Sequence, residues 1–390
     1  MRQLSFIFIS LVLLATINAC REELYVIPSH NQDTGAQPTQ GNIVGMYVLN
    51  EGNMGSNKAS IDYLDLNDNN PTVYYKKNIY SERNPKVVKE LGDVGNDIQI
   101  YGSKLWIVVN VSNKVEVATV DSSKRITQIN IPNCRYLAFK DGYAYVSSYV
   151  GPVRIDKNAP LGMVYKVDTV DFKKKDSVVV GYQPEQLCIV DNKLYVVNSG
   201  GYRAPNYDHT VSEIDLTSFK EIRKINVGIN PHLCQVDKYG QIWVTTRGNY
   251  DNIPSRIYWL AKNKNQQYET IDSIDTPVSG ISIVGDSLYF YGSAWNNATA
   301  TNAISYGLIN VKTHQRISTN LFTSPQINTI KMPYGIIVNP ISRDFYLMDA
   351  KNYVSSGSLL HFKADGTFDW EVQTGDIPGH ATFVYKRKTN

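Results

Sequence analysis

The 390-residue chain contains only four cysteines and six histidines, and its formal charge is +3, from 39 Lys and Arg against 36 Asp and Glu. With so little charge, no dense basic stripe and no aromatic-basic motif, a nucleic-acid binder is excluded, because phosphate neutralisation requires clustered cations. The histidines form no HExxH pair, and neither GxSxG nor a phosphate-cradling glycine loop occurs, so the commonest sequence routes to a zinc hydrolase, a serine hydrolase or an NTPase are missing. DYLDLNDNNP around Asp62, Asp65 and Asp68 lacks the central glycine and terminal glutamate of a calcium loop and reads as a polar turn. Long segments of helical period are absent, which excludes an all-α fold. Apart from Cys20, the cysteines are Cys134, Cys188 and Cys234, an odd set that reads as small buried apolar residues. Cys188 and Cys234 share the contexts QLCIV and HLCQV, so a bridge between neighbouring strands is the alternative reading.

The N-terminus has its own signature. Arg2 precedes an apolar stretch from Leu4 to about Ile17 that is shorter than the roughly 20 residues a spanning helix needs. Residues 1–19 therefore read as a signal peptide. Ile17-Asn18-Ala19 before Cys20 resembles a lipobox, which implies acylation of Cys20 and anchoring by lipid. Glu22 and Glu23 resemble the surface-export signal of Bacteroidetes lipoproteins, which implies an outer-membrane protein facing the cell exterior. The polar stretch IPSHNQDTGAQPTQGN has no apolar period, so residues 20–42 read as a lipidated cysteine on a flexible tether.

From residue 43 to 390 no second linker appears, and a repeat is visible instead. Seven segments set an aromatic residue within an alternating apolar strand: GMYVLN at Tyr47, KLWIVV at Trp106, YAYVSS at Tyr145, KLYVVN at Tyr195, QIWVTT at Trp243, SLYFYG at Tyr289 and DFYLMD at Tyr346. The mean spacing, about 50 residues, suits a four-stranded propeller blade. Each aromatic strand follows an apolar one, as in DIQIYG or QLCIVD, and precedes two more, as in SEIDLTS and KEIRKINV. The first unit lacks its opening strand, and the C-terminal IPGHATF matches the strand starts QPEQLCI and NPHLCQV of other units. The expectation is an all-β, seven-bladed β-propeller of four-stranded blades, closed by residues His380–Tyr385 joining the first blade, which leaves no open edge.

The segment YVVNSGGYRAPNYDHTVSEIDLTSFKEIRKINVGINPHLCQVDKYGQIWVTT resembles the repeat of YVTN-type, surface-layer-protein-like propellers, and the resemblance extends over essentially Ile43 to Lys386. It implies the fold and little about activity, because propellers host many functions.

Alternating strand direction puts the loops joining second to third strands on the same face as the connections between blades. Those loops are long, including NEGNMGSNKA, SSYVGPVRIDKNAPLG, NSGGYRAPNYDHT, TRGNYDNIPS, GSAWNNATATNA and AKNYVSSG, whereas the opposite face carries short charged hairpins. Function concentrates in such loops on a rigid scaffold. The long-loop face is rich in Tyr, Trp, Asn and Arg, residue types that combine contact area with polar handles. The candidate ligand-binding residues are Tyr149, Tyr182, Asn198, Tyr202, Arg203, Asn230, His232, Arg247, Tyr250, Trp295, Tyr334 and Tyr353.

A propeller behind a lipoprotein signal with such a face resembles the vitamin B12-capturing surface lipoproteins of gut Bacteroidetes. That resemblance implies a non-enzymatic module that binds cobalamin or another corrinoid as ligand, with no cofactor or metal of its own, and passes it to a TonB-dependent outer-membrane transporter. Two alternatives remain open from the residues. A glycan or protein adhesion module would want a similar face. A lyase or hydrolase, as in virginiamycin-type lyases on a related propeller, would use His232 or His380, with Glu185 at a comparable strand start.

Overall fold

The computed structural model describes residues 31–39, 41–87, 91–296 and 301–386. The signal peptide and Cys20 lie outside the described residues. Seven antiparallel sheets form the seven blades of a propeller. The innermost strands are Gly95–Tyr101, Cys134–Lys140, Pro184–Val190, Pro231–Val236, Gly280–Val284, Pro333–Val338 and Pro378–Tyr385, and they contact one another in a closed circuit.

Period-2 alternation explains why the blades stack. In Lys104–Val109, Leu105, Ile107 and Val109 enter the apolar cluster shared with the preceding blade, whereas Trp106 and Val108 enter the cluster shared with the next. Each strand therefore faces apolar neighbours on both sides, and each fully buried Leu, Ile or Val contributes about 1.5–3 kcal/mol. All seven landmark aromatics, Tyr47, Trp106, Tyr145, Tyr195, Trp243, Tyr289 and Tyr346, are buried in second strands. They form the cores between blades.

The ring closes as the C-terminal repeat predicts. Pro378–Tyr385 is the inner strand of the first blade and pairs antiparallel with Ile43–Asn50, in the register Met46↔Phe383 and Val48↔Ala381. Both ends of the propeller thus lie in one sheet.

Some details depart from expectation. The polar segment expected as a tether already pairs at Asn31–Asp33, a fifth strand on the outer edge of the first blade, against Tyr74–Lys76. Its hold is polar: the Gln32 side chain both donates to the Gln373 carbonyl and accepts from the Gln373 amide. The expected loop from Gly292 is largely strand, because Ser287–Asn296 and Thr301–Asn310 continue pairing from Gly292↔Ser305 to Asn296↔Thr301. The interblade segment after Lys76 carries a short helix, Ile79–Arg83. Cys134, Cys188 and Cys234 are buried free thiols, so the proposed bridge is not formed.

Candidate functional site

Six of the seven inner strands break register at their first residues, between Pro184 and Leu187, Pro231 and Cys234, Pro333 and Gly335, Gly95 and Asp97, and at the corresponding starts opposite Ser148 and Asn50. A bulge inserts an unpaired residue and re-aims side chains away from the regular pleat. Here the re-aimed starts converge on the propeller axis. Asn96, Arg135, Tyr136, His232, Tyr334 and His380 line an axial cavity of about 1560 Å³.

One half of this mouth is cationic. The Glu185 carboxylate, fully buried, accepts two bonds at 3.0 Å on Oε2 from Arg135 Nε and Nη2, one at 3.1 Å on Oε1 from Arg247 Nη1, and one at 2.5 Å on Oε1 from the Tyr149 hydroxyl. Burial opposes its charge, but the two guanidinium groups outweigh burial and lower its pKa to about 2. Both arginines are held above their ordinary range, burial being offset by Glu185. The Arg135 guanidinium also lies 4.9 Å from the Tyr149 ring centroid, a cation–π contact that fixes its plane. His232 Nε2 lies 3.1 Å from the Tyr136 hydroxyl. Burial, then the charge of Arg247, pushes the His232 pKa well below its usual value, so the imidazole is neutral at physiological pH.

The other half is acidic. Glu51 accepts from the Tyr334 hydroxyl at 3.1 Å and sits 3.5 Å from His380 Nε2. Tyr334 meets Tyr353 edge-on at 5.6 Å, and the His380 ring lies 6.1 Å from that of Tyr136, so the two halves meet across the axis. Asp97, buried, has its pKa raised by desolvation and accepts from the Leu137 amide and from Gln99. Between the halves the wall is apolar, with Val278, Ile281, Ile336 and Met348. Among the described residues no three His, Cys, Asp or Glu side chains converge as metal ligands.

The loops above this floor are shaped by glycines. Gly248, at φ +67°, follows Arg247, and a Cβ there would lie 2.0 Å from the Ile253 carbonyl oxygen. Gly200, at φ +55°, precedes Tyr202, and its Cβ would meet the Asp208 amide at 2.4 Å. Only glycine accommodates both the left-handed backbone and the close return of the loop.

Of the residues singled out from sequence, Tyr202, His232, Arg247, Tyr250, Tyr334 and Tyr353 line the cavity together. Others serve beneath or beside it. Tyr149 is buried against Glu185. Asn198 is buried with its amide bonded to Gly181, Thr210 and Ser212, and Asn230 is buried with its amide donating to the Gly248 carbonyl, so both are braces where the composition suggested ligand contacts. Arg203 stacks 3.5 Å over the Tyr182 ring and donates to the Asn206 and Lys157 carbonyls, which ties two loops together outside the cavity. Trp295 falls on the strand Ser287–Asn296, and its side chain lies outside the described residues. Sequence reasoning missed Arg135, Tyr136 and Glu51. Arg135 occupies the repeat position of Glu185 and His232, with Tyr136 next to it, and comparison of strand starts would have found both.

Similarity to known proteins supports the same architecture. Among solved structures, a putative 6-phosphogluconolactonase from Bacteroides fragilis superposes with a TM-score of 0.61 at 10% identity, covering 89% of this chain and 100% of that one. Kuenenia stuttgartiensis hydrazine synthase gives 0.55 at 13% identity over 70% of this chain and 77% of that one. The WD40 domain of Neurospora crassa Pan2 gives 0.50 at 10% identity over 76% and 90%. At such identities the likeness shows the fold alone. No curated protein matches the sequence. The family described as a domain of unknown function, DUF5074, matches residues 44–368, nearly the whole ring, and the chain belongs to that family.

Proposed function

We propose that the protein is a ligand-capture module that takes a corrinoid in the axial mouth. The fold is consistent with a binding module, and one observation carries the finer reading: the mouth is large and amphipathic. Its volume, about 1560 Å³, exceeds the roughly 300–1,000 Å³ usual for small-ligand pockets, so a broad ligand suits it better than a compact metabolite. Its polar groups, Arg247, His232, Tyr202, Tyr334 and Glu51, stand around an apolar wall. A corrinoid offers a wide apolar ring system edged with amides, which would present donors to Glu51 and the tyrosine oxygens and acceptors to the arginine. With Cys20 lipidated, the protein would hold its ligand outside the outer membrane and pass it to a TonB-dependent transporter.

The first experiment is optical. Purified protein mixed with cyanocobalamin and desalted should retain the red chromophore at one equivalent, and a Tyr334→Ala, Arg247→Ala double variant should retain far less. A colourless, folded wild-type protein after desalting would count against corrinoid capture. Equal retention by the double variant would move the site away from the mouth.

A further inference from the structure

We infer that the corner of the mouth formed by Arg135, Arg247 and Tyr202 is a subsite for a phosphate-type oxyanion, filled by the phosphodiester of a captured nucleotide-bearing ligand. The inference rests on the axial mouth being the binding site. Charge is the first argument. Arg135 and Arg247 both pair with Glu185 alone among the described residues, so two guanidinium cations share one carboxylate and the trio carries a net positive charge. The side chains are mostly withdrawn from water, 13% exposed for Arg135, 29% for Arg247 and 1% for Glu185. Two guanidinium groups on one carboxylate leave a cation unbalanced within this corner, which favours an incoming anion.

Donor geometry is the second argument. Glu185 Oε2 takes both Nε and Nη2 of Arg135, while Arg247 spends only Nη1 on Oε1. That leaves Arg135 Nη1 and Arg247 Nε and Nη2 with no protein acceptor among the described residues, and none of these atoms is sealed from solvent. The side-by-side fork of Arg135 is engaged by Glu185, whereas that of Arg247, Nε with Nη2, is open. The open fork of Arg247 can take the two unesterified oxygens of a phosphodiester while Arg135 Nη1, from a separate blade, adds a third bond from another direction. Tyr202, lining the same cavity and 37% exposed, supplies a hydroxyl on a ring set edge-on to Tyr149 at 6.2 Å.

The test uses the whole folded protein and three probes. Dimethyl phosphate, added at constant ionic strength against chloride, should raise the unfolding midpoint of the wild type and of Arg256→Gln, a surface arginine paired with Asp275. In Arg247→Gln the affinity should fall about 10- to 100-fold, with partial recovery in Arg247→Lys; circular dichroism establishes that each variant is folded. If the wild type and Arg247→Gln respond alike, the subsite is overturned. Cyanocobalamin and dicyanocobinamide, which lacks the phosphodiester and nucleotide, then identify the source. Preference for cyanocobalamin that disappears in Arg247→Gln supports the ligand's own phosphodiester. Dimethyl phosphate binding with equal affinity for both corrinoids, or for neither, keeps the oxyanion site but overturns its assignment to the corrinoid tail; failure with both corrinoids also removes the corrinoid reading itself.

Discussion

Glu185 shows what a single buried carboxylate does in this mouth. Its lone pairs are occupied by Arg135, Arg247 and Tyr149, so it holds two cations in place and is poorly available to a ligand. Replacing it with glutamine leaves two guanidinium groups facing one another, and a loss of about 3 kcal/mol in unfolding free energy is expected, measurable by urea titration. The pH dependence has a definite sign. The folded pKa, about 2, is depressed below the ordinary value of 4.5, so the stabilisation is complete above about pH 4.5 and is lost as pH falls towards 2. Acid unfolding of Glu185→Gln should therefore be flatter than wild type across that window; parallel curves would show that Glu185 is not ionised in the fold. At this scale the sequence was half legible. Tyr, Asn and Arg clustered in the long loops pointed to the face whose loops help line the axial cavity. Composition could not tell Tyr202, which lines the cavity, from Tyr149 beneath it, because burial is set by the bulge and by which residue Arg135 covers.

At the scale of elements, the decisive pieces are the bulged strand starts and the closing strand. Pro378–Tyr385 inserts Phe383 into the core between the first and last blades, beside Tyr346 at 5.8 Å. Phe383→Ala is expected to cost about 3–5 kcal/mol, read as a lower midpoint of denaturation. Ending the chain after Asp376 removes the whole strand and exposes the edge of Ile43–Asn50. Hydrogen exchange in that strand should accelerate first, and protection equal to the full-length protein would contradict closure. Closure was readable because IPGHATF repeats the strand-start pattern of other blades, and the seven aromatic strands because their apolar alternation recurs. Asn31–Asp33 was not readable, since it pairs through its backbone and the Gln32 amide with no apolar face to betray it. The hairpin after Gly292 was hidden for a similar reason: its small polar residues resemble a loop, and only continued pairing makes them strand.

For the whole molecule, the ring brings to one axis residues separated by more than three hundred positions, Glu51 and His380 among them. No local motif announces such a site. A cationic half at Arg135 and Arg247 and an acidic half at Glu51 flank an apolar wall, an arrangement that on the proposed reading would suit a broad ligand with chemically different ends. Removing one end should weaken binding without loosening the fold: Tyr334→Ala is expected to reduce affinity about tenfold or more while shifting the unfolding midpoint little, a separation that calorimetry and thermal unfolding record together. The most direct measurement is isothermal titration of the purified propeller with cyanocobalamin. Binding in the mouth predicts one site per chain with a dissociation constant below about 1 µM, weakened in Arg247→Ala. A folded protein that releases no heat at tens of micromolar ligand, on the order of a few kcal/mol weaker than that, would contradict corrinoid capture.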